Sequence, residues 1–179
     1  MKIILASASP RRRELLAGLV EFEIAPSRFE EVTEGGAEEV VRLNARGKAK
    51  EVLSRFPDCR VLGADTVVAL GGEILGKPKD EGDAERMLRL LSGRTHSVFT
   101  GVCVADRSGT VECVVETKVL FKTLSENTIK NYILSGAPLD KAGAYGIQDG
   151  IVVESIEGSY TNVMGLPMEA VREMLKERV

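Results

Sequence analysis

The chain has a single histidine, His96, and no GxSxG elbow, so the parts of a Ser-His hydrolase are missing. It has no Walker A segment and no GxGxxG after a strand, which excludes a P-loop phosphotransferase and a Rossmann dehydrogenase. Its three cysteines, Cys59, Cys103 and Cys113, are odd in number and lack CxxC spacing. They suggest neither a zinc site nor a complete disulfide framework, and are expected to be reduced core or edge residues. No apolar run approaches the roughly 20 residues that a membrane helix needs. The amino terminus leads straight into a short strand, without the apolar region and cleavage site of a secretory signal. A cytoplasmic protein with no membrane contact is therefore expected. The net charge of −3, from 24 Lys and Arg against 27 Asp and Glu, argues against the broad basic face that a nucleic acid would require.

What is present is a globular composition, 44% hydrophobic over 179 residues, enough for one full core or for two small lobes sharing a sheet. A single domain over 1–179 is the default.

The segment Ile3-Ile4-Leu5-Ala6-Ser7-Ala8-Ser9-Pro10-Arg11-Arg12-Arg13 reads as a buried strand turning directly into a helix. Ser9 is a good N-cap, and Pro10 suits the first helical position because the amide hydrogen it lacks has no use there. Arg11, Arg12 and Arg13 then stand at the positive end of the helix dipole, where each cation is unfavourable by about 0.3–1 kcal/mol unless a negative group offsets it. Exposed amides, the hydroxyls of Ser7 and Ser9, small alanines and forked guanidiniums would make a phosphate cradle. The alternative is an ordinary solvated helix start, with Glu14 partly compensating the arginines.

Further along, short strands are expected at Phe22–Ala25 and Ile151–Ile156, and a loop from Ser27 to Gly36. Val41, Ala45, Ala49, Val52, Leu53 and Phe56 recur at helical spacing within a long amphipathic helix. Val61–Leu70 is apolar except at its centre and reads as an interior strand. A helix over Asp80–Leu91, strands at Thr95–Val104 and Val111–Lys122 joined as an antiparallel hairpin, and helices at Ser125–Leu134 and Pro167–Glu177 complete a mixed α/β order.

Asp65 interrupts the interior strand. A carboxylate there is costly unless it is paired, binds metal or opens into a cleft; an Asp satisfied by neighbouring amides is the plainer alternative. In a regular strand Thr66 faces the opposite way, although a bulge or strand end could bring both to one mouth. Lys48 lies beside an apolar stripe, which by default means a stem snorkelling to water. Lys77 sits in a stiff Gly-Lys-Pro segment. Glu30 and Glu31 could offer a carboxylate to magnesium, or be solvated charge. The run Asp140 to Gln148 frames a tyrosine with glycines, and Gln148 offers the donor and acceptor needed to read a base edge, unless the segment is a plain tight turn.

Leu5-Ala6-Ser7-Ala8-Ser9-Pro10-Arg11-Arg12, Gly63-Ala64-Asp65-Thr66, Gly76-Lys77-Pro78, Leu91-Ser92-Gly93, the run Asp140 to Gln148, and Gly158-Ser159-Tyr160 with Gly165-Leu166-Pro167 together resemble the Maf family of nucleoside triphosphate pyrophosphatases. The blocks span nearly the whole chain in order. The resemblance implies an elongated mixed sheet flanked by helices, with two lobes around a central cleft, similar to the inosine triphosphate pyrophosphatase fold. It implies hydrolysis of dTTP and UTP to the nucleoside monophosphate and pyrophosphate with a divalent cation, Mg2+ or Mn2+, and a homodimer. In the family pattern Asp65 is the proton acceptor. Ser7, Arg12, Glu31, Lys48 and Lys77 line the phosphate and metal site, and Arg11, Thr66 and Gln148 bear on substrate choice; the expected metal carboxylate is Glu31, with or without Asp65. Where the family commonly has Gly after Gln148, this chain has Asp149. Two alternatives from other classes are a non-catalytic nucleotide-binding regulator of division and septum formation, and a nucleic-acid binder acting through the arginine cluster.

Overall fold

The computed structural model describes residues 1–176; Glu177, the last residue of the expected C-terminal helix, lies outside them. Seven strands form one sheet: β1 (Ile3–Leu5), β2 (Glu23–Ile24), β3 (Arg60–Leu70), β4 (Glu73–Leu75), β5 (Thr95–Asp106), β6 (Gly109–Phe121) and β7 (Val153–Glu157). The helices are α1 (Pro10–Ala17), α2 (Ala37–Arg55), α3 (Glu81–Leu91), α4 (Glu126–Leu134), α5 (Tyr160–Met164) and α6 (Met168–Lys176), with three short 3-10 turns between Ala137 and Asp149. The sheet order is β2-β1-β3-β5-β6-β7, with β4 on β3. β1 pairs in parallel with β2 and β3, and every other pairing is antiparallel. The elongated mixed sheet flanked by helices is thus the one expected. The short helix α5 was not anticipated from the sequence.

Caps set the helix starts as local chemistry predicts. Ser9 accepts the Arg12 amide ahead of Pro10, Asp80 caps α3 and Ser125 caps α4. The α2 stripe is buried through Val52, whereas Phe56 is 38% exposed, because it is the C-cap residue and its ring lies beside the Arg55 guanidinium. None of the three cysteines is in a disulfide, and Cys103 is buried.

β3 runs through both halves of the core. Its first residues pack with Leu5, Leu16 and Val171 on one face and with Ile4, Val52 and Cys103 on the other; Val68, near its end, joins Leu75, Leu88, Phe121 and Tyr132. The ladder with β1 ends at Leu5 opposite Leu62, and the ladder with β4 begins at Val68 opposite Leu75. Between them, Gly63–Val67 pair with β5 alone among the described residues. The sheet splits there, and the split is the cleft between two lobes.

α2 crosses the sheet at backbone distance beside this split. A Cβ on Gly63 would lie 2.4 Å from the Ala45 carbonyl oxygen, and one on Gly101 would lie 2.3 Å from that of Val41. Gly101 is the cross-strand partner of Asp65, so these two glycines bring the inner face of α2 down onto that carboxylate. Gly101→Ala is expected to reduce stability by about 1–3 kcal/mol through overpacking, measured as a lower midpoint in urea unfolding.

His96 is 3% exposed, its Nε2 2.8 Å from the Tyr145 hydroxyl and its ring edge-on to Phe121 and Tyr145. Burial pushes its pKa down to about 4 from the usual 6.5. Because the unfolded chain takes up this proton first, the contribution is fully present above pH 6.5 and is lost as the pH falls toward 4, by up to about 3 kcal/mol. His96→Gln is expected to show a smaller loss of urea stability between pH 7 and pH 5 than the parent chain.

Candidate active site

The cleft beside the open stretch of β3 has a volume of about 470 Å³ and contains both Asp65 and Thr66 in its lining. Neither a bulge nor a strand end accounts for this. Asp65 points to the α2 face and Thr66 to the opposite face, and the missing neighbour strand lets both faces open into one cavity.

On the α2 side, Lys48 and Asn44 lie four residues apart on the helix face seated against the sheet. The Lys48 ammonium is 2.8 Å from Asp65 Oδ1 and 2.6 Å from Glu31 Oε1, with its side chain only 11% exposed. The lysine therefore turns inward and does not snorkel to water. Glu31 comes from the loop between β2 and α2, which lies along α2: Phe29 fills the space over Gly47, and Ser27 and the Arg28 amide hydrogen-bond Glu51. Burial pushes the Glu31 carboxyl up, but the ion pair with Lys48, helped by Lys77 and Arg12, more than offsets this and holds it below the usual range.

On the other side stands α1. Arg12 donates from Nε to the Gly165 carbonyl at 2.7 Å, from Nη2 to Thr66 Oγ1 at 3.0 Å and from Nη1 to Ser7 Oγ at 3.4 Å. Burial lowers its pKa, Asp65 and Glu31 oppose that, and Arg11 adds to it. Arg11 reaches across the mouth to Asp140 at 3.3 Å, a contact between residues 129 apart in sequence. Burial raises the Asp140 carboxyl, but Lys141 and Arg11 bring it below its ordinary value. Lys77 and Gln148 are exposed at the rim, and neither side chain has a hydrogen-bond partner among the described residues.

Of the residues singled out in the sequence, Arg11, Arg12, Glu31, Lys48, Asp65, Thr66, Lys77 and Gln148 all line the cleft. Ser7 stands behind it and supports Arg12 and the Ser9 amide. Sequence reasoning missed Asn44, Asp140, Lys141, Tyr145 and Gly165. The Asp140-to-Gln148 run was noted as a block, but nothing in it signals that Asp140 meets Arg11. Asn44 carried one usable signal, a polar residue next to Ala45 in an apolar stripe.

No group of three or more His, Cys, Asp and Glu among the described residues could hold a metal ion by itself. Two carboxylates, Glu31 and Asp65, do share one cation in the form of the Lys48 ammonium. That oxygen-only pair fits a hard divalent cation that takes its other ligands from phosphate oxygens and water.

The split sheet and a cleft with arginines on one wall and the Asp65–Lys48–Glu31 group on the other define a class: an α/β protein with a charged cleft suited to an anionic ligand. The chain belongs to the Maf family, the model described as "Maf-like protein" matching residues 2–178. It is 50% identical over 172 residues to a dTTP/UTP pyrophosphatase of Thermococcus gammatolerans, covering 94% of this chain and 92% of that one. It is 51% identical over 180 residues to a dTTP/UTP pyrophosphatase of Salmonella typhimurium, covering 97% and 91%. Among solved structures, the Ham1 protein of Staphylococcus aureus shares the fold over 100% of both chains, with a TM-score of 0.60 at 13% identity.

Removing the cation that offsets burial should be visible directly. In Lys48→Met the Glu31 carboxyl is expected to titrate at higher pH than in the parent chain, followed by 13C NMR of labelled glutamate.

Proposed function

We propose that this chain hydrolyses dTTP and UTP between the α and β phosphates, releasing the nucleoside monophosphate and pyrophosphate. The observation that carries the reading is the pairing of Asp65 with Lys48 and Glu31 at the split of the sheet, facing Arg12 and the head of α1 across one cleft. Family membership and the names of the relatives support catalysis over the alternative of a non-catalytic division regulator.

In this reading the triphosphate enters with its negative end toward the head of α1. Arg12, Lys48 and Lys77 offset its charge, and Ser7 keeps the Arg12 fork in place. Arg11, released from Asp140, Thr66 and Gln148 bear on which nucleotide is accepted, with the Gln148 amide meeting the base edge as donor and acceptor. Lys48 exchanges part of its contact with Asp65 for a phosphate oxygen, which frees Oδ1. Asp65 then orients a water molecule and takes its proton as the oxygen attacks the α-phosphorus in line. The new P–O bond forms as the bond from that phosphorus to the bridging oxygen breaks, and pyrophosphate departs with the electron pair, stabilised by the same cations. A bound Mg2+ or Mn2+, held by Glu31 with Asp65, would supply further neutralisation of the phosphate oxygens. In the same reading the protein is a cytoplasmic homodimer of single-domain chains, 1–179, that binds nucleotides and not nucleic acid. No helix among the described residues is long and apolar enough to cross a membrane.

Offering dTTP, UTP, CTP, GTP and 7-methyl-GTP separately with Mg2+ or Mn2+ is expected to give pyrophosphate and monophosphate from the first two. Asp65→Asn is expected to lose about 10²–10⁴-fold in turnover. Release of orthophosphate would overturn the cleavage position, and near-parental turnover of Asp65→Asn would overturn the assignment of the base.

A further inference from the structure

Asn44 is a buried amide, 2% exposed, on the face of α2 that meets the sheet. Its immediate neighbours on that face are Val40, Val41, Ala45 and Lys48. A buried primary amide costs stability unless its polar atoms are met. Here they are met in one pattern. Nδ2 donates to Asp65 Oδ2 at 2.9 Å and to the Val32 carbonyl at 2.9 Å, and Oδ1 accepts the Val32 amide at 2.8 Å. The reverse orientation of the amide would set its oxygen against a carboxylate and a carbonyl, so the surroundings dictate the assignment.

We propose that Asn44 is a positioning residue for the reaction: it fixes the carboxylate of Asp65 and holds it in register with the loop that presents Glu31. The proposal rests on the reading of Asp65 as the proton acceptor.

Two consequences follow from the contacts. With Oδ2 engaged by Asn44, the carboxylate cannot turn freely, and Oδ1, the oxygen now met by Lys48, is the one left to receive the proton of water. Val32 directly follows Glu31, so pairing both of its backbone groups with Asn44 sets where the Glu31 side chain begins. The contacts close a ring from Asp65 through Lys48, Glu31, Val32 and Asn44 back to Asp65. Val32 takes part through its backbone, and of the side chains that make these contacts Asn44 is the neutral one. It can therefore hold both ends without competing with the substrate for charge, as Lys48 must.

The test compares Asn44→Leu and Asn44→Asp with Asp65→Asn and Glu31→Gln, using dTTP with Mg2+ and checking folding by circular dichroism. Asn44→Leu is expected to lose about 10–100-fold in kcat, and to need more Mg2+, as for groups that orient a metal's ligands, while KM for dTTP changes far less. Combining Asn44→Leu with Glu31→Gln is expected to cost less than the product of the two separate losses, because both act on one ring. Asn44→Asp keeps the acceptor for the Val32 amide but sets an oxygen against Asp65, so it too is expected to lower kcat while KM for dTTP changes far less. A folded Asn44→Leu with parental kcat and Mg2+ dependence would overturn the proposal. Should Asn44→Leu fail to fold, parental kcat and Mg2+ dependence in Asn44→Asp would do the same. If Asp65→Asn is inactive while the Asn44 variants behave as the parent, the inference alone fails; if Asp65→Asn stays active, the reading of the base fails and takes the inference with it.

Discussion

Among the described residues, five of β3, Gly63–Val67, have a neighbour strand on one side only, and the rest of the site depends on that interruption. Had β1 continued, or β4 begun earlier, the backbone groups of this stretch would be paired and the gap filled. Asp65 and Thr66 would then be separated by a closed sheet, as the two-residue period of a strand requires. The interruption instead opens both faces into one cavity, and the strand continues unbroken along β5, so the two lobes keep a common rigid floor.

On that floor sits a group of charges that does not serve stability. Withdrawing Asp65 and Lys48 from water costs several kcal/mol per ion before their attraction repays it, and a well-packed apolar pair of similar volume is often no less stable. The fold accepts this cost where α2 is seated on Gly63 and Gly101, so closely that Asn44 and Lys48 both reach Asp65. Across the cleft, Arg12 is held by a carbonyl and two hydroxyls, leaving its charge uncancelled by any direct ion pair among the described residues. A cation fixed in place by neutral groups is preorganised for an anion that arrives later.

Much of this was legible from the chain. The start of α1 could be placed because capping is local chemistry, decided within four residues of Ser9 and Pro10. β3 could be placed because a continuous apolar run of that length suits a covered strand, and Asp65 stood out because a carboxylate there needs a reason. The long range of the Maf-like blocks carried the mixed sheet and the identity of most cleft residues. Less was legible for Lys48, whose inward turn runs against the usual behaviour of a lysine beside an apolar stripe, and for Ser7, which backs Arg12 without lining the cleft.

By itself the sequence determined where the longer helices begin, which faces are apolar and which charged residues lack a local reason to be there, since all of these depend on neighbours a few positions away. Only the tertiary structure decided that Asp65 and Thr66 share a cavity, that Arg11 meets Asp140, and that Asn44 joins a loop to the central strand. Those outcomes depend on which strand stops beside which and how closely a helix sits on two glycines. These are distances between segments far apart in the chain, and no local preference encodes them.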